Sequence, residues 1–394
     1  MVFAENKFII GITGNMGTGK SMVRRMLERK GALGIDADAL VHRALSKGNA
    51  PYKDVIACFG ENFLQADGEI DRRKLASRVF HDSQALKALE AILHPAVEHA
   101  VRRIVTSSRL PIIVVEAIKL LESRLAQDCN QIWLVETSQT TQLERIRRNR
   151  KMSDKQALAR IQQQSPVEIK RRSANIIIEN NSILQDTWQQ VSLAWAAQAQ
   201  DNPVFANAVK WIRENKKQNL EYLPIHPDEF EKAKGLLDSL HLIYQTPQWS
   251  ILNLLKPKQI SSQTSSDLFF NLCEFRFLAS QKESHLCSLV SLRNENFILQ
   301  PMAIYNQPNC NPQEGFSFGL KAADLYANQQ LCEEIVIVMP RTASALEKSV
   351  LSHGYQKIEK DSQVFKLWRA QTVKKDIEGY NVFSKKISET VFFD

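Results

Sequence analysis

Eight consecutive residues near the start of the chain have the types and the spacing that bind a chain of phosphates. They are Gly14-Asn15-Met16-Gly17-Thr18-Gly19-Lys20-Ser21, which match the pattern G-x-x-x-x-G-K-[ST] directly after a predicted strand. The glycines allow consecutive backbone N–H groups to turn inward around an anion. The lysine brings a positive charge to the β- and γ-phosphates, and the serine hydroxyl can bind Mg²⁺. The pattern therefore favours a nucleotide site over a glycine-rich turn that holds no ligand.

Two carboxylates follow the second predicted strand, in the sequence Ile35-Asp36-Ala37-Asp38. Ligands of open α/β sheets bind at the carboxyl ends of the strands, so both side chains are placed for chemistry. Alternation along an extended chain puts Asp36 and Asp38 on the same side. One of them can accept the proton of a hydroxyl group or help to hold Mg²⁺, and the alternative interpretation is a helix N-cap.

Basic residues crowd a predicted helix–turn–helix at 139–164. They are Arg145, Arg147, Arg148, Arg150 and Lys151, and Arg160 follows on the second helix. Arginines that close over a phosphoryl group stabilise its charge and exclude water, so residues 145–160 are predicted to form a lid. The alternative is a solvated basic face. Because the chain has no N-K-x-D motif of a GTPase, the three features together favour a kinase that acts on a small molecule.

The first half alternates β-rich segments with helical patterns, which is typical of a parallel sheet with crossover helices. The five predicted strands are residues 7–12, 32–35, 112–115, 132–135 and 175–178. Residues 36–110 form an insertion with apolar residues at helical spacing, which is expected to cap the sheet. Within it, His94-Pro95 is either a substrate contact or a helix stop. A helix at 22–29 follows the phosphate loop, and Pro166 is expected to end the second lid helix, with one further strand after Gln164.

The chain is long enough for two or three domains, since it has 394 residues. We expect a P-loop kinase domain at 1–205, a linker at 206–222 and a second, α+β domain at 223–394; the polar segment 214–221 is the best linker candidate. A terminal helix of the first domain, interrupted at Asn202-Pro203, is expected at 183–215. In the second domain we predict a helix at 228–240, a polar loop at 256–267, two or three strands, a helix at 316–331, a strand at 334–338, a helix at 343–352 and a final hairpin.

Composition limits the cellular setting and the class of partner. No apolar run approaches the roughly 20 residues that span a bilayer, and the start of the chain lacks the features of a signal peptide, so we expect a cytoplasmic protein. The six cysteines are scattered without metal-binding spacing, which predicts reduced thiols. The formal net charge of +8 indicates attraction to anions but selects no class among them.

Residues 7 to about 200 resemble the dephospho-CoA kinase family, whose members carry out the last step of coenzyme A synthesis. The matching motifs are the phosphate loop, Ile35-Asp36-Ala37-Asp38, Phe59-Gly60, Asp67-Gly68, Arg72-Arg73 with Leu75, Leu93-His94-Pro95, Gln142-Leu143 with Arg145, Arg160-Ile161 with Gln164, and Ile177-Ile178-Glu179-Asn180-Asn181.

This resemblance implies transfer of the γ-phosphoryl group of Mg·ATP to the 3′-hydroxyl of dephospho-CoA. It implies that Asp38 is the base, that Arg145 and Arg160 belong to the nucleotide lid, and that residues 36–110 are the CoA-side domain. The expected catalytic residues are Asp38, Lys20 and Arg145, and Ser21 is the expected metal ligand. The expected nucleotide contacts are Gly14, Asn15, Met16, Gly17, Thr18, Gly19, Lys20, Ser21, Met22, Arg145 and Arg160.

The sequence departs from the family pattern at several positions. Met22 replaces the usual threonine, Asn149 replaces the second lid arginine, and Glu179 replaces an aspartate. Residues 116–122 have the sequence EAIKLLE, in which Lys119 stands near the usual position of a proline, so an acidic and a basic side chain are expected to face the cleft. Two alternatives stay open: a non-catalytic sensor or scaffold that binds nucleotide or CoA, and a kinase for another nucleoside-like acceptor.

The second half resembles, in part, the C-terminal half of a GNAT acetyltransferase, because a helix, a strand and a helix precede Gly354-Tyr355. That family binds the acyl-CoA pyrophosphate on a loop whose spacing residues 311–319 (NPQEGFSFG) lack, so we expect a non-catalytic relative, or else an unrelated α+β interaction domain. Tyr355 and His353 are expected to be a core tyrosine and a helix-end histidine. The expected partners are ATP and dephospho-CoA, with an acyl-CoA or a protein at the second domain, and neither nucleic acid nor a membrane.

Overall fold

The structure is a computed structural model that contains two β-sheets, one in each half of the chain. It describes residues 7–150, 154–162, 164–218, 223–229, 249–250, 272–282, 285–295, 297–306, 311–341, 343–360, 362–371, 379–388 and 393. The predicted polar loop at 256–267 and most of the predicted helix at 228–240 lie outside these residues.

The first sheet has five parallel strands in the order β2-β3-β1-β4-β5. They are β1 (Phe8–Thr13), β2 (Leu33–Asp36), β3 (Ile112–Glu116), β4 (Gln131–Glu136) and β5 (Ile176–Glu179). The predicted parallel sheet is therefore confirmed. The chain order reverses beside β1, which is the point where open parallel sheets form a ligand crevice at the carboxyl ends of their strands.

Helices α1 (Lys20–Lys30), α10 (Leu184–Asp201) and α11 (Pro203–Gln218) cover one face of this sheet. Val23, Met26 and Leu27 of α1 are fully buried there. Helix α1 begins inside the phosphate loop, two residues before the predicted start, because Lys20 and Ser21 already have helical conformation. Residues 206–218, which fall in the expected linker, belong to α11 and bury apolar side chains against the sheet. The domain boundaries themselves stay predictions.

The opposite face is covered by the insertion, which is helical as predicted. Its helices are α2 (Ala37–Ala44), α3 (Ala50–Phe59), α4 (Arg72–Phe80) and α5 (Ser83–Ser107), with a 3₁₀ turn at Glu61–Phe63. Asp71 and Asp82 cap α4 and α5 by accepting backbone N–H groups. The prediction of a helix stop at His94-Pro95 is wrong, because α5 continues through Pro95. The helix tolerates the loss of one backbone hydrogen bond at Pro95 because the buried side chains of Leu93 and Val97 hold both sides of it in the core.

A 3₁₀ turn at Leu120–Glu122 and a short helix α6 (Leu125–Asp128) lie between β3 and β4. The described part of the lid region and of the segment after it contains the helices α7 (Gln139–Arg150), α8 (Asp154–Gln162) and α9 (Val167–Ser173). The two lid helices agree with the prediction. Helix α9 was not predicted: Pro166 was expected to end α8, but it is the N-cap residue of α9. A proline at a helix start loses no internal hydrogen bond, which explains why it initiates this helix.

The second sheet is mixed and follows the order β12-β13-β11-β10-β9-β8-β6, with β7 paired to β10. Its strands are β6 (Leu223–Ile225), β7 (Trp249–Ser250), β8 (Arg276–Lys282), β9 (His285–Glu295), β10 (Ile298–Asn306), β11 (Glu334–Pro340), β12 (Gln356–Lys357) and β13 (Tyr380–Lys386). The described helices of this half are α12 (Pro312–Gln329), α13 (Ser344–Ser352) and α14 (Gln363–Gln371), and a 3₁₀ turn lies at Pro227–Glu229. The predicted second, α+β domain is confirmed. The predicted final hairpin is wrong, since α14 separates β12 from β13.

The two halves pack against each other through ion pairs and shared apolar surface. Arg25 of α1 donates to Glu274 at 2.6 Å and also pairs with Glu295. Arg43 of α2 pairs with Glu333, and Phe297, Leu331 and Phe393 of the second half pack into the apolar cluster of the insertion. A cavity of about 540 Å³ lies between the insertion and α14. The second half thus contacts both the helix that follows the phosphate loop and the insertion.

Candidate active site

The phosphate loop joins β1 to α1 and adopts a conformation that requires glycine. Gly17 and Gly19 have φ angles of +85° and +96°, which side chains with a Cβ rarely adopt. A Cβ on Gly19 would lie 2.1 Å from Asn180 Nδ2. The predicted role of these two glycines is thus consistent with the backbone that they form.

Side chains from the lid region and from the residue that follows β5 hold the loop in this conformation. Gln142 Nε2 donates to the carbonyl of Met16 at 2.6 Å, and the N–H of Met16 donates to Gln164 Oε1 at 2.5 Å. Asn180 Nδ2 donates to the carbonyl of Thr18 at 2.8 Å. These three residues lie in the matching motifs of the sequence but were not among the predicted site residues. The loop is preorganised because these side chains hold its backbone in place before a ligand binds.

Lys20 and Ser21 occupy the first turn of α1, where the helix dipole favours anions. Lys20 is 6% exposed, and its Nζ donates to the carbonyl of Asn15 at 3.3 Å. Ser21 Oγ donates to Glu116 Oε1 at 2.7 Å. Glu116 ends β3 and also accepts from Arg24 Nε at 2.8 Å. The predicted acidic side chain at the cleft is therefore Glu116, a residue that contacts the phosphate-loop serine.

Asp36 and Asp38 differ in their contacts although they are two residues apart. Asp36 Oδ1 accepts the N–H of Ala39 at 2.9 Å, so Asp36 is the N-cap residue of α2. This agrees with the alternative prediction of a helix cap. Asp38 Oδ2 instead accepts the N–H of Ile118 at 3.1 Å, across the cleft on the segment after β3. Burial, and then the charge of Glu116, raises the pKa of Asp36, and burial also raises the pKa of Asp38. The positive charge of Lys20 acts on Asp38 in the opposite direction.

Lys170 is a site residue that the sequence analysis missed. It lies on α9, is 3% exposed, and its Nζ donates to the carbonyl of Ile118 at 3.0 Å. Burial, followed by the charge of Lys20, lowers the pKa of Lys170 to about 8. A sequence signal for the helix was present, because Pro166 and Glu168 are typical of a helix start.

The predicted lid residues are described only in part. Arg145 Nη1 donates to the carbonyl of Thr18 at 3.4 Å, and burial, followed by the charge of Arg148, lowers the pKa of Arg145. Arg147 and Arg148 are exposed. The side chains of Asn149, Arg150, Lys151 and Arg160 lie outside the described residues. Arg145 is thus brought to the loop, and the place of Arg160 stays a prediction.

Two of the departures from the family pattern have simple structural outcomes. Met22 packs against the apolar cluster beneath α1. Lys119 is 53% exposed on its side chain and pairs with Glu90 of α5 at 2.6 Å. The lysine therefore pairs with the insertion, and Glu116, not Lys119, is the residue of this segment that contacts the phosphate loop.

The residues at the loop suit a magnesium ion. Mg²⁺ prefers oxygen ligands, and the Ser21 hydroxyl lies beside the carboxylate of Glu116. Asp36 has a raised pKa partly because of the charge of Glu116, so a divalent cation there would relieve their repulsion. Among the described residues, no group of three or more Asp, Glu, His or Cys side chains that could hold a metal ion was found.

Comparison with known proteins decides the family. A family model described as dephospho-CoA kinase matches residues 8–186. A dephospho-CoA kinase of Geobacter sulfurreducens is 36% identical over 191 residues, which cover 48% of this chain and 97% of that protein. The chain belongs to the dephospho-CoA kinase family. It is therefore a kinase with nucleotide-binding motifs, and its relatives place it in coenzyme A biosynthesis.

Two solved structures each align with less than half of this chain. A Thermus thermophilus protein is 31% identical, covers 49% of this chain and 98% of its own, and has a TM-score of 0.45. An N-acetyltransferase of Thermoplasma acidophilum, solved with coenzyme A, is 13% identical and covers 42% of this chain and 98% of its own, with a TM-score of 0.30. These scores assign no activity to the second half of this kinase.

Tyr355 and His353 of the second half lie at positions where they support the fold. Tyr355 is 2% exposed within the apolar core, and burial raises its pKa. His353 ends α13, where its Nδ1 lies 2.8 Å from the carbonyl of Ser349. Both positions agree with the expected core tyrosine and helix-end histidine.

In the part of the kinase that the structure describes, no helix is both long and apolar enough to cross a membrane, and the cytoplasmic location stays a prediction.

Proposed function

We propose that the chain transfers the γ-phosphoryl group of ATP to the 3′-hydroxyl of dephospho-CoA and so forms CoA and ADP. The observation that carries the proposal is the position of Asp38 at the carboxyl edge of the first sheet, where it is influenced by the charge of Lys20. A carboxylate beside a complete phosphate loop suits an enzyme that must accept a proton from an alcohol. A protein that only binds nucleotide has no need of it.

In the proposed reaction, the 3′-oxygen of the acceptor forms a bond to the γ-phosphorus while the bond from that phosphorus to the β–γ bridging oxygen breaks. The bridging oxygen leaves with the electron pair as part of ADP. The hydroxyl proton passes to a carboxylate oxygen of Asp38. Because burial raises the pKa of Asp38, this carboxylate is a better proton acceptor than an exposed aspartate.

Positive groups of the first half stabilise the charge that spreads over the transferred group. Lys20 and the N–H groups of the loop bind the β- and γ-phosphates, and Arg145 approaches from the lid. The proposed nucleotide contacts are Gly14 to Met22 with Arg145 and Arg160. When bound, Mg²⁺ neutralises charge on the phosphates, and Ser21 with neighbouring Glu116 would hold it.

The test is to incubate the full chain with Mg·ATP and a panel of acceptors, and to measure ADP and phosphorylated acceptor together. The proposal predicts ADP and CoA in equal amounts with dephospho-CoA. ADP formed only with another nucleoside would indicate a different acceptor, and nucleotide binding without turnover would indicate a sensor or scaffold. Either result would overturn the proposal.

A further inference from the structure

Lys170 lies in the site without belonging to the phosphate loop, the carboxylate pair or the predicted lid. Helix α9 carries it into the interior, so only 3% of the residue is exposed, whereas Arg171 and Arg172 on the same helix are exposed. A lysine is rarely buried to this extent unless its charge has a partner. Its position therefore needs a physical reason.

The contacts of Lys170 meet those of Asp38 at a single residue. Lys170 Nζ donates to the carbonyl of Ile118 at 3.0 Å, and the N–H of the same residue donates to Asp38 Oδ2 at 3.1 Å. Thr13 Oγ1, at the end of β1, donates to that carbonyl at 3.2 Å. Ile118 thus links the ammonium group, the proposed base and the strand that leads into the phosphate loop.

The charged groups that face Lys170 come from three elements. Lys20 on α1 disfavours its positive charge, while Glu122 and Asp38 favour it. The Nζ of Lys170 donates to a neutral carbonyl, which compensates a buried ammonium less than a carboxylate does. Two ammonium groups in one cleft are electrostatically suited to a polyanion, because bound phosphates place negative charge beside both of them.

We propose that Lys170 is a second phosphate-binding cation, which contacts the γ-phosphoryl group from the acceptor side while Lys20 contacts it from the loop side. The inference rests on the proposed function and adds to it the residue that guides the phosphoryl group toward Asp38. Lys170 keeps its proton throughout. It stabilises the charge on the non-bridging oxygens while the oxygen–phosphorus bonds form and break as described above.

The test compares K170M with R172Q in the full chain. Methionine preserves the length and the packing of the side chain, while Arg172 supplies an exposed cation on the same helix as the control. We expect K170M to lower kcat by about 10²-fold, the scale for loss of one preorganised electrostatic group, with the KM for ATP changed less than about 3-fold. R172Q should leave both constants unchanged. Circular dichroism and thermal melting establish the folded fraction of each variant.

The pH dependence separates this role from a structural one. Because the pKa of Lys170 is lowered to about 8 in the free protein, kcat/KM for ATP should decline as pH rises through that value, and K170M should lose this decline. If K170M forms CoA within about 2-fold of the wild-type rate, the inference about Lys170 is wrong while the proposed function stands. The same holds if the loss of activity in K170M is no larger than its loss of folded protein. A wild-type chain that forms no CoA overturns the proposed function instead.

Discussion

Charged side chains of the two halves face different surroundings. In the first half, Asp38 and Lys170 bond to the backbone of Ile118 and lie in a cleft at the sheet edge. In the second half, Glu274 and Glu295 pair with Arg25 of the first half, and although burial raises the pKa of Glu295, the charges of Arg25 and Arg293 lower it to about 2.

The difference separates two uses of charge. A charged group whose hydrogen bond goes to a neutral backbone atom stays able to respond to a substrate, whereas a group committed to an ion pair holds one element against another. We infer that the chemistry belongs to the first half and that the ion pairs of Arg25 with Glu274 and Glu295 stabilise the junction. Variants at the phosphate loop, at Asp38, at the junction and at Lys119 test this division.

Removing the ammonium of the phosphate loop should have the largest effect. K20A should lower kcat by about 10³-fold, because in the proposed reaction Lys20 contacts the charge that develops on the phosphates. The matched change in the second half is K385A, which removes a lysine paired with Asp324 at 2.7 Å and should leave kcat within about 2-fold of wild type. Steady-state assays of both variants make the comparison, and near-normal turnover by K20A would contradict it.

Neutralising the proposed base should have the next largest effect. D38N keeps the size of the side chain and removes its ability to accept a proton, so we expect kcat to decrease by about 10²-fold or more. The KM for ATP should change little, because the proton comes from the acceptor. Equal losses in turnover and in ATP affinity would instead indicate that Asp38 helps to hold the metal.

Changes at the junction should alter stability more than catalysis. The double variant E274Q/E295Q leaves Arg25 buried without its carboxylates, which should lower the free energy of unfolding by about 3 kcal/mol. The kinetic constants of the folded protein should stay within about 3-fold of wild type. Urea unfolding gives the stability, and E314Q at an exposed site is the control. A large loss of turnover without loss of stability would show that the junction takes part in catalysis.

The smallest effect is expected at Lys119. Its ion pair with Glu90 is exposed, and such pairs contribute about 0.2–1 kcal/mol. K119A should therefore change the free energy of unfolding by less than about 1 kcal/mol and leave turnover within about 2-fold. A large decrease in turnover would place this departure from the family pattern in the active cleft after all.

The phosphate loop and the first sheet could be predicted because their patterns are local. Glycine spacing sets the loop, and short apolar runs set the parallel strands. Asp36 and Asp38 cannot be distinguished by sequence. In the structure Asp36 caps a helix, whereas Asp38 accepts the N–H of Ile118 across the cleft, and that contact depends on the tertiary fold. Lys170 could not be predicted as a site residue, because its burial depends on how α9 packs. Likewise, β12 and β13 pair across an intervening helix, which local patterns do not reveal.

The most direct measurement is to follow the γ-phosphorus of ATP into the product. The full chain is incubated with dephospho-CoA and ATP labelled at the γ position, and the labelled product is digested and identified. We expect one label per CoA, located on the 3′-phosphate, and we expect K20A to form labelled CoA about 10³-fold more slowly. Label released as inorganic phosphate, with dephospho-CoA unchanged, would contradict the proposed function.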